Sequence, residues 1–171
     1  TGCGVLVYSR LGYGNSDPVA LPRPLSYMHD EALEVLPLVL DAAGVNHALL
    51  LGHSDGGSIA LINAGGLSDP RVCGLVLMAP HVFVEQVSVD SISDSLRQFV
   101  DGGLRSRLLR FHGDNVDCAF YGWNRAWLDP QFRHWNIEEF LPRIQVPVLV
   151  IQGLGDEYGS DRQLQAIEAQ I

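Results

Sequence analysis

Several features are scarce in this chain, and each scarcity removes a class of function. Basic residues number 11 against 20 acidic ones, for a formal net charge of −9, and they gather into no stripe. That balance excludes a phosphate-backbone partner and an anionic membrane surface, so no nucleic-acid partner is expected. No apolar run approaches the ~18 residues of a membrane span. Cysteine is limited to Cys3, Cys73 and Cys118, which are odd in number and far apart. They offer neither a disulfide framework nor a metal-ligand spacing, and a reducing, cytoplasmic compartment is the expectation. Cys73 lies in an apolar run and is expected to be a buried small hydrophobe. Asp114-Asn115-Val116-Asp117 lacks the Gly and distal Glu of a Ca²⁺ loop and reads as a turn, so no metal site is expected. Repeats and low-complexity tracts are absent too.

What remains is globular composition, 47% apolar and 18% charged over 171 residues, enough for one domain with a substantial core. Four apolar runs read as buried strands: Val5–Tyr8, Ala48–Leu51, Val72–Met78 and Val146–Ile151. Helical patterns separate them. The first runs from Ser26 to about Ala43, with a bend expected at Pro37. The second follows Asp55 to Ala64, with Gly65-Gly66 as its stop. A third opens at Arg162. Such alternation implies α/β architecture, a mostly parallel sheet flanked by helices. Between His81 and Arg143 no strand pattern appears. This stretch carries a helix or helix pair over Ser91–Phe111, hinged at Gly102-Gly103, and all three tryptophans. At about 60 residues it is too long for a plain connection and reads as an inserted subdomain.

The chain is organised around Leu49-Leu50-Leu51-Gly52-His53-Ser54-Asp55-Gly56-Gly57. An apolar strand ends at Gly52, Ser54 follows, and Gly returns before an apolar helix. Gly-x-Ser-x-Gly in that setting is the nucleophile-elbow signature, a turn so tight that only small residues fit beside the serine. The helix behind it directs its amide-rich, positive end at the reacting centre.

With the elbow, the alternation and the insertion together, the chain resembles the α/β-hydrolase superfamily. Arg10-Leu11-Gly12-Tyr13-Gly14-Asn15-Ser16-Asp17 is similar to the family's loop ahead of the elbow, although Leu11 interrupts the usual Arg-Gly. Gly153-Leu154-Gly155-Asp156 is similar to the turn that carries the family's catalytic acid. The resemblance assigns residues 1–80 and 144–171 to the hydrolase core, incomplete at both ends, and 81–143 to a helical cap. It implies Ser54 as nucleophile, Asp156 as acid and the Asp55 backbone N–H as one oxyanion donor. Glu157 is the weaker rival for the acid. The base histidine is expected beyond Ile171 and the second oxyanion donor before Thr1. The chain opens without Met and stops inside a helical pattern, so a fragment, inactive alone, is the expectation.

Other residues carry two readings each. His53, inside the elbow, and His81, just past the third strand, are candidates for touching substrate. The Asp55 carboxylate either pairs with a substrate ammonium or stabilises the helix N-terminus. Trp123 and Trp127 either line an apolar acyl pocket or pack the insertion. The function implied by the resemblance is a serine hydrolase of a small carboxylic ester or related acyl compound, working without cofactor. The alternatives are a non-catalytic ligand-binding or interaction protein and, among enzymes, a C–C bond hydrolase, a lactonase or a cofactor-free haloperoxidase.

Overall fold

A computed structural model describes residues 2–171. The chain forms two compact units, one from residues 25–91 and 130–171 and one from residues 1–24 and 92–129.

The first unit is built on a parallel sheet of β1 (Ala48–His53), β2 (Val72–Met78) and β3 (Val148–Ile151), in the order β1-β2-β3. Gly52 pairs with Leu77 and Leu77 with Val150, so the carboxyl ends of all three strands come level. Helices flank the sheet: α1 (Tyr27–Asp30), α2 (Leu36–Ala42), α3 (Asp55–Leu67) and α7 (Asp161–Gln170). The crossover helix α3 is buried continuously from Gly57 to Gly65, as its all-round apolar sequence requires.

Strand residues alternate between faces, and the two faces differ. Leu75 and Leu77 are buried, whereas Leu49, Leu51, Leu149 and Ile151 are each about half exposed or more. Cys73, which has the parity of Leu75 and Leu77, is exposed at the register shift where Ala48 pairs with Val72 and Leu49 with Gly74, which corrects its reading as a buried hydrophobe. An apolar run records that a strand can be buried on both faces, not which face is covered among these residues.

Pro37 perturbs its helix as expected, but through a π turn, Glu31–Val35, rather than a simple bend. In an α pattern its ring would press on the Leu33 carbonyl, which would also lose its donor. The wider turn removes that conflict, and the Ala32 carbonyl takes a hydrogen bond from Asn63 Nδ2 at 2.8 Å. Gly65-Gly66 does not stop α3, which continues to Leu67 and ends at Ser68 with φ of 50°. These glycines serve packing instead. A Cβ on Gly65 would collide with the Phe140 carbonyl, so the 3₁₀ turn Glu138–Arg143 can lie on α3 only because that side chain is absent.

The second unit holds most of α4 (Gln86–Val100), with α5 (Leu104–His112) and α6 (Val116–Leu128). Phe99 and Phe120 stack at 3.8 Å in its core, and Val116, Leu96 and Leu108 close around them. The Arg10–Asp17 loop is tied to this unit. Tyr13 lies between the Arg10 and Arg23 guanidinium groups, each 4.8 Å from its ring. The Gly14 N–H donates to His112 Nδ1 at 3.1 Å, and burial pushes the His112 pKa down, which suits an accepting nitrogen. Val5–Tyr8 forms no strand, and Val5 and Val7 are almost wholly exposed. That expectation is corrected: the apolar run signals burial, but a strand also needs a ladder partner, and among the described residues of this unit there is no other strand. Among the described residues no helix is long and apolar enough to cross a membrane.

Candidate active site

β1 ends at His53 and α3 begins at Asp55, leaving Ser54 alone at the corner with φ 52° and ψ −121°. A non-glycine residue at such a φ costs on the order of 1–3 kcal/mol and persists only where its surroundings fix it. Here they do. The Ser54 N–H donates to the Met78 carbonyl at 2.9 Å, and the Ser54 carbonyl accepts from Gly57 and Ser58 N–H at 2.8 and 3.1 Å. A Cβ on Gly52 would strike the Gly56 carbonyl and stand 2.6 Å from Gly57 N, all of it backbone. Gly52→Ala is therefore expected to destabilise the protein by about 3 kcal/mol or more. Denaturant unfolding measures this, and an unchanged midpoint would contradict the geometry.

The result is a half-buried serine at the positive end of α3. The Asp55 N–H belongs to the first turn of that helix, at its positive end. The Asp55 carboxylate is directed elsewhere: it is 6% exposed and accepts from the Tyr27 hydroxyl at 2.6 Å. His53 is exposed and, by strand alternation, shares the open sheet face with Leu49 and Leu51.

Asp156 lies in the loop after β3. Its Oδ1 accepts from the Tyr158 N–H at 2.8 Å and its Oδ2 from Gln152 Nε2 at 2.9 Å. Glu157 is exposed. The register relates the two loops. His53 pairs with Met78 and Met78 with Ile151, so Ser54 and Gln152 leave the sheet at one level on either side of β2. Two strand spacings put their backbones about 10 Å apart along the sheet edge.

Side chains from the segment after β2 hold the Asp156 loop in place. His81 is 4% exposed, with Nε2 3.0 Å from the Tyr158 carbonyl. Ser88 Oγ donates to that same carbonyl. The Glu85 carboxylate accepts from Ser160 N–H (3.0 Å), Ser160 Oγ (2.7 Å) and Gln163 Nε2 (2.9 Å). Burial raises its pKa, but these donors and Arg162 outweigh burial and leave it below the usual carboxylate range. His81 is thus a structural tie between the two segments. Gln152, Glu85 and Gln163 escape sequence reasoning, because a single amide or carboxylate next to a strand end has no pattern to mark it.

Trp123 and Trp127 belong to the other unit. Trp123 packs edge-on against Phe120 at 5.9 Å, and Trp127 is 1% exposed. Among the described residues no group of three His, Cys, Asp or Glu could hold a metal ion.

Comparison with known proteins identifies the family. The sequence pattern described as "Alpha/beta hydrolase family" matches residues 1–171. Among solved structures, a hydrolase from Pseudomonas aeruginosa PA01 superposes with a TM-score of 0.63 at 24% identity, over 94% of this chain and 65% of that one. An esterase from Exiguobacterium antarcticum gives 0.68 at 22% identity, over 94% and 67%. The enol-lactonase from Burkholderia xenovorans LB400 gives 0.65 at 19% identity, over 94% and 66%. The chain thus spans about two thirds of the length of these structures, and at such identities the likeness establishes the fold. No curated protein matches the chain.

Proposed function

Because the chain belongs to the alpha/beta hydrolase family, we propose that the protein is a serine hydrolase that cleaves a small carboxylic ester or related acyl compound through an acyl-enzyme. The observation that carries this reading is Ser54. A strained serine at a strand-to-helix corner, level with a loop that presents a doubly hydrogen-bonded carboxylate, is the layout that acyl transfer needs. Ser54 Oγ attacks the carbonyl carbon while a histidine outside residues 1–171 takes its proton. Asp156 orients that histidine and stabilises its cationic form. Asp55 N–H shares the oxyanion charge with a second donor, also outside these residues. The histidine then protonates the leaving alcohol, and water, activated by the same base, releases the acid. Residues 81–143 are assigned as the cap insertion, and no cofactor takes part.

The first test is turnover of a neutral short-chain p-nitrophenyl ester by the full-length protein. Hydrolysis that one equivalent of a serine-directed phosphonate stops is the expected result. A folded protein that neither hydrolyses the ester nor reacts with the phosphonate would turn the reading to a non-catalytic binding protein.

A further inference from the structure

The geometry points to Gln152 as a positioning residue for the Asp156 carboxylate, supplying a fixed neutral donor on the side of the acid away from the Tyr158 N–H. This inference rests on the proposed role of Asp156.

An aspartate in a loop has a rotatable side chain, and aiming one of its oxygens takes a partner on the other. The Tyr158 bond to Oδ1 spans two residues and is the local Asx-type contact that many loop aspartates make. It limits the carboxylate but leaves it free to swing with the loop. The Gln152 bond is of another kind. Gln152 stands at the end of β3, one residue past Ile151, so its backbone is anchored by the sheet. Its Nε2 reaches across the loop mouth to Asp156 Oδ2 at 2.9 Å and toward the Gly159 carbonyl at 3.4 Å. The orientation of the amide follows from chemistry: turned over, Oε1 would face a carboxylate and a carbonyl, both acceptors only. In the orientation that results, Oε1 is buried with no donor among the described residues. Burying an amide oxygen without a partner is unfavourable, and the hydrogen bonds of this side chain are all made by its donor end. Its donor end serves the acid.

Charge matters as much as shape. A lysine or arginine at this point would hold Asp156 more strongly but would compete with the catalytic base for it. A neutral amide aligns the carboxylate and leaves its negative charge for the imidazolium.

The test uses the full-length protein with the p-nitrophenyl ester and two variants. Gln152→Met keeps the shape and removes the donor; kcat is expected to fall about 10- to 100-fold with KM changed less than about 2-fold. Gln152→Glu gives a readout that a packing role would not move. Two carboxyl groups this close share a proton at low pH, so the protonated pair keeps a donor on Asp156. As pH rises that proton leaves and repulsion displaces the acid. The activity of Gln152→Glu relative to wild type is therefore expected to fall about 10-fold between about pH 5 and about pH 8, while the ratio for Gln152→Met stays flat. A kcat for Gln152→Met equal to wild type, or a pH-independent ratio for Gln152→Glu, overturns the inference. If Gln152→Met fails to fold, the Gln152→Glu ratio decides alone. Wild-type protein without phosphonate-sensitive turnover overturns the serine-hydrolase reading itself, and this inference with it.

Discussion

Ser54→Ala is expected to lower turnover of the neutral ester by about 10⁵- to 10⁶-fold, to near the level that oxyanion donors and binding supply without a nucleophile. The expectation follows from position as well as chemistry. At φ 52° the serine side chain stands outside the regular paths of both β1 and α3, and nothing else in the elbow has a nucleophilic atom there. The neighbouring hydroxyl, Ser58 Oγ, is buried and donates to the His81 carbonyl at 2.6 Å, so it cannot substitute. Alanine removes only Oγ, which makes none of the backbone bonds that hold the corner. Stability should therefore change little, and kcat should carry the whole effect. Steady-state kinetics beside a thermal melt would separate the two, and a variant retaining even a tenth of wild-type kcat would exclude Ser54 as nucleophile.

The second large effect is expected at Asp156. Asp156→Asn preserves shape but removes the charge that in the proposed mechanism orients and stabilises the base, and such a change typically costs about 10⁴ in kcat. Glu157→Gln, one residue on, should stay within about 2-fold of wild type, because the Glu157 side chain is exposed. The loop at that residue is held through its backbone carbonyl, which accepts from Ser91 Oγ. The contrast between adjacent carboxylates makes the measurement specific. Equal losses at both positions, or the larger loss at Glu157, would reassign the acid.

The elbow was legible in the sequence because its demands are local. Glycine at 52 answers an approach of the Gly56 and Gly57 backbone that no other residue permits, and it shows within a pattern of five positions. β2 and the paired helices around Gly102-Gly103 were legible for a related reason, since apolar runs and glycine hinges act over a few residues. The misreadings all concern partners. Val5–Tyr8 has the composition of a strand and no ladder. Cys73 has apolar neighbours in sequence and lies exposed at the register shift between β1 and β2. Gly65-Gly66 resembles a helix stop, yet its role is to admit the Phe140 backbone, 75 positions away in the chain by count from Gly65. The clamp on the acid loop was invisible for the same reason. Glu85, Gln163 and Gln152 become meaningful only when the parallel register brings three strand ends level.

The most direct test of the account is to find where a serine-directed phosphonate attaches. The full-length protein would be treated with one equivalent, digested, and the modified peptide sequenced by mass spectrometry. The account predicts a single adduct on Ser54, lost in Ser54→Ala. An adduct on any other residue, or none on a protein shown to be folded, would contradict it.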